Sequence, residues 1–451
     1  MSAARSGSQL RFEVGRTLAL AGPLIVGQLT NFGMTFVDTV MAGRLGKVDL
    51  GAVAVGSSVW AAGFLFVLGM LMAVAAAVSH LDGAGRPRQA GELTRQSLWL
   101  ALVLAVGIWY LARSADWLMA ILGTDQGVAE LADGYLRAIS FGAPALTGML
   151  ALRFFSEGIG YTRPTMYIGV LGILCNVPLN YVLMFGKLGF PAFGAVGCGW
   201  ATAVVLWLQL IALVVWMVRR PRYRPYAVFA RFSGPDRREL AALIRLGLPI
   251  GIMVFMEGGL FVGSALLIGT LGALPIAAHQ VAINFSGLIF MVPLGLSGAI
   301  TVRVGNAVGR GDGPGARRAG LVGTAIALAF GMAAAVLMFS IPEAIVRLYT
   351  ADREVIEPAA GLLVLAAVFQ IADCIQVSMA GALRGLKDTR LPMLYSVFAY
   401  WMIGMTLGWW LTFRQGWGPS GMWTGIIAGL SVAAVLLAGR FLRISRPARA
   451  W

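Results

Sequence analysis

Residues 52–78 read AVAVGSSVWAAGFLFVLGMLMAVAAAV, a run of 27 positions without one charged side chain. At 1.5 Å per residue a helix of that length spans about 40 Å, more than the roughly 30 Å hydrocarbon core of a bilayer. The run is far too long for one strand of a membrane barrel, which needs only about ten alternating residues. It reads as a membrane-spanning helix, and similar runs recur along the chain. They give twelve expected spans: 15–40, 50–78, 93–113, 128–152, 164–186, 194–218, 240–269, 275–302, 319–341, 355–383, 391–413 and 420–442.

Composition agrees. Of 451 residues 59% are hydrophobic and 12% charged, with mean hydropathy +0.81. A soluble protein carries about a quarter charged residues, and disorder needs low hydrophobicity, so both are excluded. The first run is too long and polar for a cleaved signal peptide, and another span follows it at once. The formal net charge of +15 sits in short loops between apolar runs, which points to membrane orientation and not to nucleic acid. Of the basic residues assigned to loops, 26 fall on one side and 7 on the other. The larger set includes Arg5, Arg153, Arg384 and Arg449. Positive charge stays inside, so both termini are expected in the cytoplasm, which an even number of spans also requires. Cys175, Cys198 and Cys374 lie in apolar segments without metal-ligand spacing and read as free thiols.

The second half of the chain repeats the first at an offset of about 226. Leu45-Gly46 falls on Leu271-Gly272, Phe64 on Phe290, Gly69 on Gly295, Gly83 on Gly309 and Gly85 on Gly311; Gly22-Pro23 falls near Leu248-Pro249. With small shifts, Thr162-Arg163-Pro164 resembles Thr389-Arg390-Leu391-Pro392, and Gly194 and Gly197 match Gly418 and Gly421. Six is even, so two six-helix repeats enter from the same side and are parallel, with any substrate site expected between the halves. The longest polar stretch, Arg219 to Glu239, lies at the midpoint and reads as a cytoplasmic linker with room for a short amphipathic helix. The expected domains are therefore 1–218, a six-helix lobe; 219–239, the linker; and 240–451, a second six-helix lobe.

Three acids lie inside spans: Asp38, Glu257 and Asp373. Each costs about 2.5–3.5 kcal/mol on insertion scales, on the order of 8–10 together if additive. Gln28, Asn31 and Thr35 precede Asp38 at spacings that put all four on one helical face, which must look into the bundle or onto water. Gln370 and Gln376 flank Asp373 by three residues on either side. At the repeat offset Glu257 corresponds to Asn31 and Asp38 to Ser264, so the acids break the internal symmetry. Packing common to both halves would keep it. A carboxylate at low dielectric either holds a proton or recruits a cation, which makes it an exchange site for Na⁺ or H⁺.

Weaker signals surround these. Asn176 and Asn180 share a face of the fifth span and can offer amide oxygens to a cation, or simply bond helix to helix. Gln280 and Asn284 repeat the pattern on the eighth span, where packing is the plainer reading. Phe261, one turn after Glu257, is cavity lining with a face a cationic ligand can touch. His80 and His279 have no partner at ligand spacing, so no metal site is expected beyond Na⁺ at the three acids. The chain carries no Gly-x-x-x-x-Gly-Lys-Ser/Thr loop, no His-Glu-x-x-His and no Gly-x-Ser-x-Gly, so neither a nucleotide engine nor an enzyme is expected.

Val37-Asp38-Thr39-Val40-Met41-Ala42-Gly43 resembles the first-helix signature of the multidrug and toxic compound extrusion (MATE) family, in its NorM-type bacterial branch. The resemblance continues through Met256-Glu257-Gly258, Ala277 to Ser286, and Gly381-Ala382-Leu383-Arg384-Gly385, and covers nearly the whole chain. It implies an all-α polytopic membrane protein of twelve transmembrane helices, in two six-helix lobes forming a V that opens alternately to each side. It implies antiport in the bacterial inner membrane: organic cations and other amphiphilic drugs leave as Na⁺ or H⁺ enters, with no cofactor, no nucleic acid and a monomeric chain in the lipid bilayer. It assigns Asp38, Glu257 and Asp373 to cation and substrate handling, Asn176 and Asn180 to the first-lobe site, and Phe261 to contact with the bound cation. Asn180 stands where some relatives have an acid, which leaves Asp38 as the sole carboxylate there. The alternative within the same superfamily is a flippase of lipid-linked oligosaccharides, whose cavities are cationic where these central spans are acidic.

Overall fold

The computed structural model describes residues 2–115, 119 and 125–446, with side chains from residue 11 onward. Arg449 and the side chain of Arg5 lie outside the described residues. Every described element is a helix, as apolar runs in lipid require, because only internal hydrogen bonds can satisfy the backbone there. The first half runs α1 (Ser2–Leu45), α2 (Lys47–Gly83), α3 (Pro87–Arg113), α4 (Gln126–Ser140), α5 (Ala143–Gly158), α6 (Arg163–Phe185) and α7 (Gly194–Arg219). A 3-10 turn, Pro221–Tyr226, leads to the second half. There follow α8 (Arg237–Gly269), α9 (Ala273–Gly309), α10 (Gly313–Ser340), the short α11 (Pro342–Val346), α12 (Arg353–Gly385), α13 (Arg390–Arg414, which mixes α and π turns) and α14 (Pro419–Ile444).

Eleven of these helices are long and apolar enough to cross a membrane, and α4 with α5 makes a twelfth if the pair is one span. The expected span at 128–152 is thus not one straight helix. It bends by 49° between α4 and α5. Gly142 caps α5 and Pro144 sits in its first turn, where a missing N–H costs nothing. Four helix starts are fixed by the preceding aspartate: Asp125, Asp236, Asp312 and Asp352 accept from the backbone N–H groups of Gly127, Arg238, Gly315 and Glu354.

The repeat read from the sequence recurs in the backbone. Gly46 and Gly272 both precede the second helix of their repeat at positive φ, 150° and 118°, and Gly85 and Gly311 both end it at 68° and 75°. Side chains rarely adopt those angles, which accounts for glycine at both copies of each turn. Two compact units emerge, Val26–Gly251 in one, and Met1–Ile25 with Ile252–Trp451 in the other. The divisions fall inside α1 and α8, two residues after Pro23 and Pro249. In the discontinuous unit, Glu13 pairs with Arg303, and a Cβ on Gly295 would meet the backbone of Ile25 at 2.9 Å. In the contiguous unit, a Cβ on Gly247 would meet the Met70 carbonyl at 2.5 Å, so the opening half of α8 lies tight against α2.

The segment 219–239 is folded onto α3 and carries a 3-10 turn where an amphipathic helix had room. Two prolines and an absence of apolar periodicity explain that. Arg95 donates to the carbonyls of Ala227 and Val228 and to Ser233 Oγ. Gln96 donates to the Gly234 carbonyl and accepts from Asp236 N, and Trp99 donates to the Ser233 carbonyl. The approach is close enough that a Cβ on Gly91 would sit 1.7 Å from the Tyr226 carbonyl oxygen. Ala227 holds a left-handed φ of 50°, a strained value for a residue with a side chain, kept by the Arg95 bond to its carbonyl. The Tyr226 hydroxyl donates to Asp82, and burial pushes both it and Tyr223 upward, Tyr223 to about 12.

Candidate functional site

In the unit Val26–Gly251, Asp38 stands on α1 facing α6. Its Oδ1 accepts from Asn176 Nδ2 at 3.0 Å and from Asn180 Nδ2 at 2.6 Å. Two amide donors on one oxygen fix the carboxylate, each spending one N–H on it. Both amide oxygens, Asn176 Oδ1 and Asn180 Oδ1, are buried and accept no hydrogen bond among the described residues. Buried acceptors are normally satisfied, so these are two oxygens available to a cation, close to a carboxylate. A cavity of about 330 Å³ opens beside them, lined by Asn31, Thr35, Asp38, Asn176 and Gln209 among apolar neighbours such as Trp60 and Phe64. Gln28 is half-buried on the same helix and is not part of that wall; Asn180 lies fully buried behind it.

In the other unit, α8 brings Glu257 and α12 brings Asp373, which lie within electrostatic range of each other. Asp373 is 1% exposed, and neither of its carboxylate oxygens has a hydrogen-bond donor among the described residues. A buried ionised carboxylate with no donor would cost several kcal/mol, so this group has to take a proton or a cation. Gln370 and Gln376 are buried one turn either side. Gln376 donates to the Tyr400 hydroxyl from α13, while Gln370 Nε2 rests 3.8 Å from Cys374 Sγ. Phe261 is half-buried and packs edge-on against Phe369, ring centroids 5.9 Å apart, and Phe369 does the same against Trp423.

Among the arginines counted as loop charges, two stand inside helices beside these acids. Arg384, 4% exposed, donates to Ser297 Oγ at 2.7 Å and lies within electrostatic range of Glu257. It follows Asp373 by eleven residues, three helical turns, so it shares that face of α12; the spacing alone could have shown it. Arg153 is buried on α5 and ion-paired with Glu157 at 2.7 Å, and it lines the cavity beside Asp38. Each was placed in a loop because it stands just past an apolar run. Tyr400 and Ser297 were also missed. Gln280 and Asn284 are exposed on α9, where Asn284 donates to the Gln280 carbonyl of its own helix. His279 accepts from Trp423 Nε1 at 3.2 Å as an ordinary buried histidine. Cys175, Cys198 and Cys374 are free.

Two repeats of membrane-spanning helices, with carboxylates buried among amides in both compact units, define a membrane transporter. A family model described as MatE matches residues 23–182 and again 249–410, two matches that begin 226 residues apart, the offset of the internal repeat. The chain is 46% identical to a probable multidrug resistance protein NorM of Xanthomonas campestris, over 96% of this chain and 95% of that one. It is 42% identical to the multidrug resistance protein PmpM of Pseudomonas aeruginosa, over 98% and 93%. The fold is that of a crystal structure of the eukaryotic MATE transporter AtDTX14, with TM-score 0.88 at 21% identity over 97% and 99% of the two chains. It is equally that of an outward-facing MATE transporter, with TM-score 0.88 at 22% identity over 96% of each. The chain belongs to the MATE family, in its NorM-type branch, and is a membrane transporter and not an enzyme.

Proposed function

We propose that this transporter exports organic cations and other amphiphilic drugs in exchange for inward Na⁺ or H⁺, from the bacterial cytoplasm across the inner membrane. In this reading both termini are cytoplasmic, the chain acts as a monomer, and residues 1–218 and 240–451 form the two lobes joined by 219–239. Relatives named as multidrug resistance proteins support the drug class. The observation that carries the exchange is Asp373, buried with both oxygens lacking donors among the described residues. Such a group cannot leave its charge uncompensated, so ion or proton must replace drug whenever drug departs. Asp38, with the oxygens of the two amides that bond it, Asn176 and Asn180, is the second cation site. Glu257 and Arg384 tune the first, where Phe261 offers an aromatic face to substrate, and the lining of the Asp38 cavity receives apolar substrate in the other unit. The acidic character of both sites disfavours a lipid-linked oligosaccharide as cargo.

The test is dye efflux in proteoliposomes containing only this protein, driven separately by a Na⁺ gradient and by a pH gradient. Efflux under one gradient alone is expected and names the coupling ion. Efflux under neither, by protein shown to be folded, would overturn antiport and favour the flippase reading.

Substituting Asp38→Asn replaces the acceptor of two amide bonds by an amide and removes the charge that offsets a bound cation. The expected outcome is cation affinity at this site weakened by at least about tenfold, read as a higher half-saturating ion concentration for efflux. An unchanged ion dependence would remove Asp38 from the coupling scheme.

A further inference from the structure

We propose that a cleft between the α2–α3 turn and the 3-10 turn Pro221–Tyr226 binds a phosphate group, presented by the headgroup of an anionic phospholipid. The cleft, about 590 Å³, is lined by Arg86, Pro87, Arg88, Gln89, Arg224 and Pro225. Three arginines from two separate segments line it, and none has an ion-pair partner among the described residues.

The neighbouring charges are committed elsewhere. Glu92 takes both Arg95 and Arg231, and Asp82 takes the Tyr226 hydroxyl. Arg220 and Arg222 lie over the rings of Trp216 and Tyr161. What remains is positive charge facing an open cleft, a cost recovered when an anion binds.

The walls are built to hold that arrangement. Gly85 turns the chain at φ 68°, Pro87 starts α3, and Pro225 stiffens the opposite wall. The Tyr226 carbonyl fits where a Cβ on Gly91 would stand, and Arg95 holds the next two carbonyls, so Arg224 is kept opposite Arg86 and Arg88. The first turn of α3 forms part of the wall and adds the positive end of a 27-residue helix. Guanidinium forks match phosphate oxygens in pairs, which makes arginine the suited residue here. Height in the membrane favours the lipid over a free anion. The cleft lies where the spans Lys47–Gly83 and Pro87–Arg113 end and where Gly194–Arg219 has just ended, the level of the headgroups.

The experiment titrates the purified full-length protein in neutral detergent with dihexanoyl-phosphatidylglycerol, dihexanoyl-phosphatidylcholine and inorganic phosphate, each by calorimetry at two salt concentrations. Phosphatidylglycerol is expected to bind at least about tenfold more tightly than phosphatidylcholine, and more weakly at high salt. Each arginine near a lipid surface contributes about a fivefold factor, so Arg224→Gln should weaken binding about fivefold and the triple change of Arg86, Arg88 and Arg224 to Gln about a hundredfold. The same three changed to Lys should keep most of the affinity, which separates charge from folding damage. Inorganic phosphate that binds as tightly and competes would keep the phosphate site and assign it to a soluble anion, overturning the lipid source. Equal affinity for phosphatidylcholine, or phosphatidylglycerol binding unchanged in both Arg224→Gln and the triple Gln variant, would overturn the site.

Discussion

Asp373→Asn and Glu257→Gln are each expected to reduce gradient-driven dye efflux by about a hundredfold, with the protein still reaching the membrane in normal amounts. The magnitude follows from losing one charge worth about 2.5–3.5 kcal/mol at this depth. The stability of the two variants is what distinguishes a transport role from a structural one. A carboxylate that stitches helices together costs several kcal/mol when broken, because its partner is left unpaired. Asp373 has no such partner among the described residues, so neutralising it removes a desolvation cost and should leave the melting temperature in detergent equal or higher. A melting temperature lowered by many degrees, with efflux reduced only in proportion to the folded fraction, would return Asp373 to packing. Efflux at the normal rate in both variants would remove the acids from the mechanism.

The second large effect is on folding. Gly404 and Gly408 on α13 face Gly425 and Gly429 on α14, small residues four apart on both helices, which is how helices approach closely without a hydrophobic driving force. A Cβ on Gly425 would lie 2.3 Å from both the N and the Cα of Gly408, and 2.5 Å from the Gly404 carbonyl oxygen. Those atoms are backbone and cannot swing aside as a side chain does. Gly425→Val should therefore cost more than the 1–3 kcal/mol typical of overpacking and lower the melting temperature by at least about 5 °C, with reduced membrane yield. Gly439→Ala is the control, since nothing lies within 4 Å of a Cβ there. Equal stability of the two variants would mean the helices are not held as closely as this.

Hydropathy, the repeat offset and the three intramembrane acids were readable because each is a linear pattern: apolar length, a fixed period, a charge where none is tolerated. Partnership was not. Asn176 and Asn180 have the same four-residue spacing as Gln280 and Asn284. Yet the first pair bonds a carboxylate 138 and 142 residues away, while Asn284 bonds its own helix. Spacing places such residues on a face without saying what that face meets. Arg384 and Arg153 show the opposite failure, since linear position put them in loops although the eleven-residue interval from Asp373 to Arg384 already placed Arg384 on the acid's face. The bend between α4 and α5 was hidden because Gly142 and Pro144 barely lower the hydropathy of the run around them. That α1 and α8 each serve two compact units depends on close approaches such as Gly295 to Ile25, which no periodicity encodes.

This last feature sets an order on assembly during synthesis. Residues 26–251 are continuous in the chain, so that unit has all its parts once α8 is half made. The other unit needs the opening of α1, made first, together with helices made last. Glu13 waits for an Arg303 that is 290 residues downstream, roughly 15–60 s at ordinary bacterial and eukaryotic elongation rates. Through that interval the first 25 residues must wait without their final neighbours, and their half-polar character, with Arg11, Glu13 and Arg16 near the start, suits a segment held at the membrane surface.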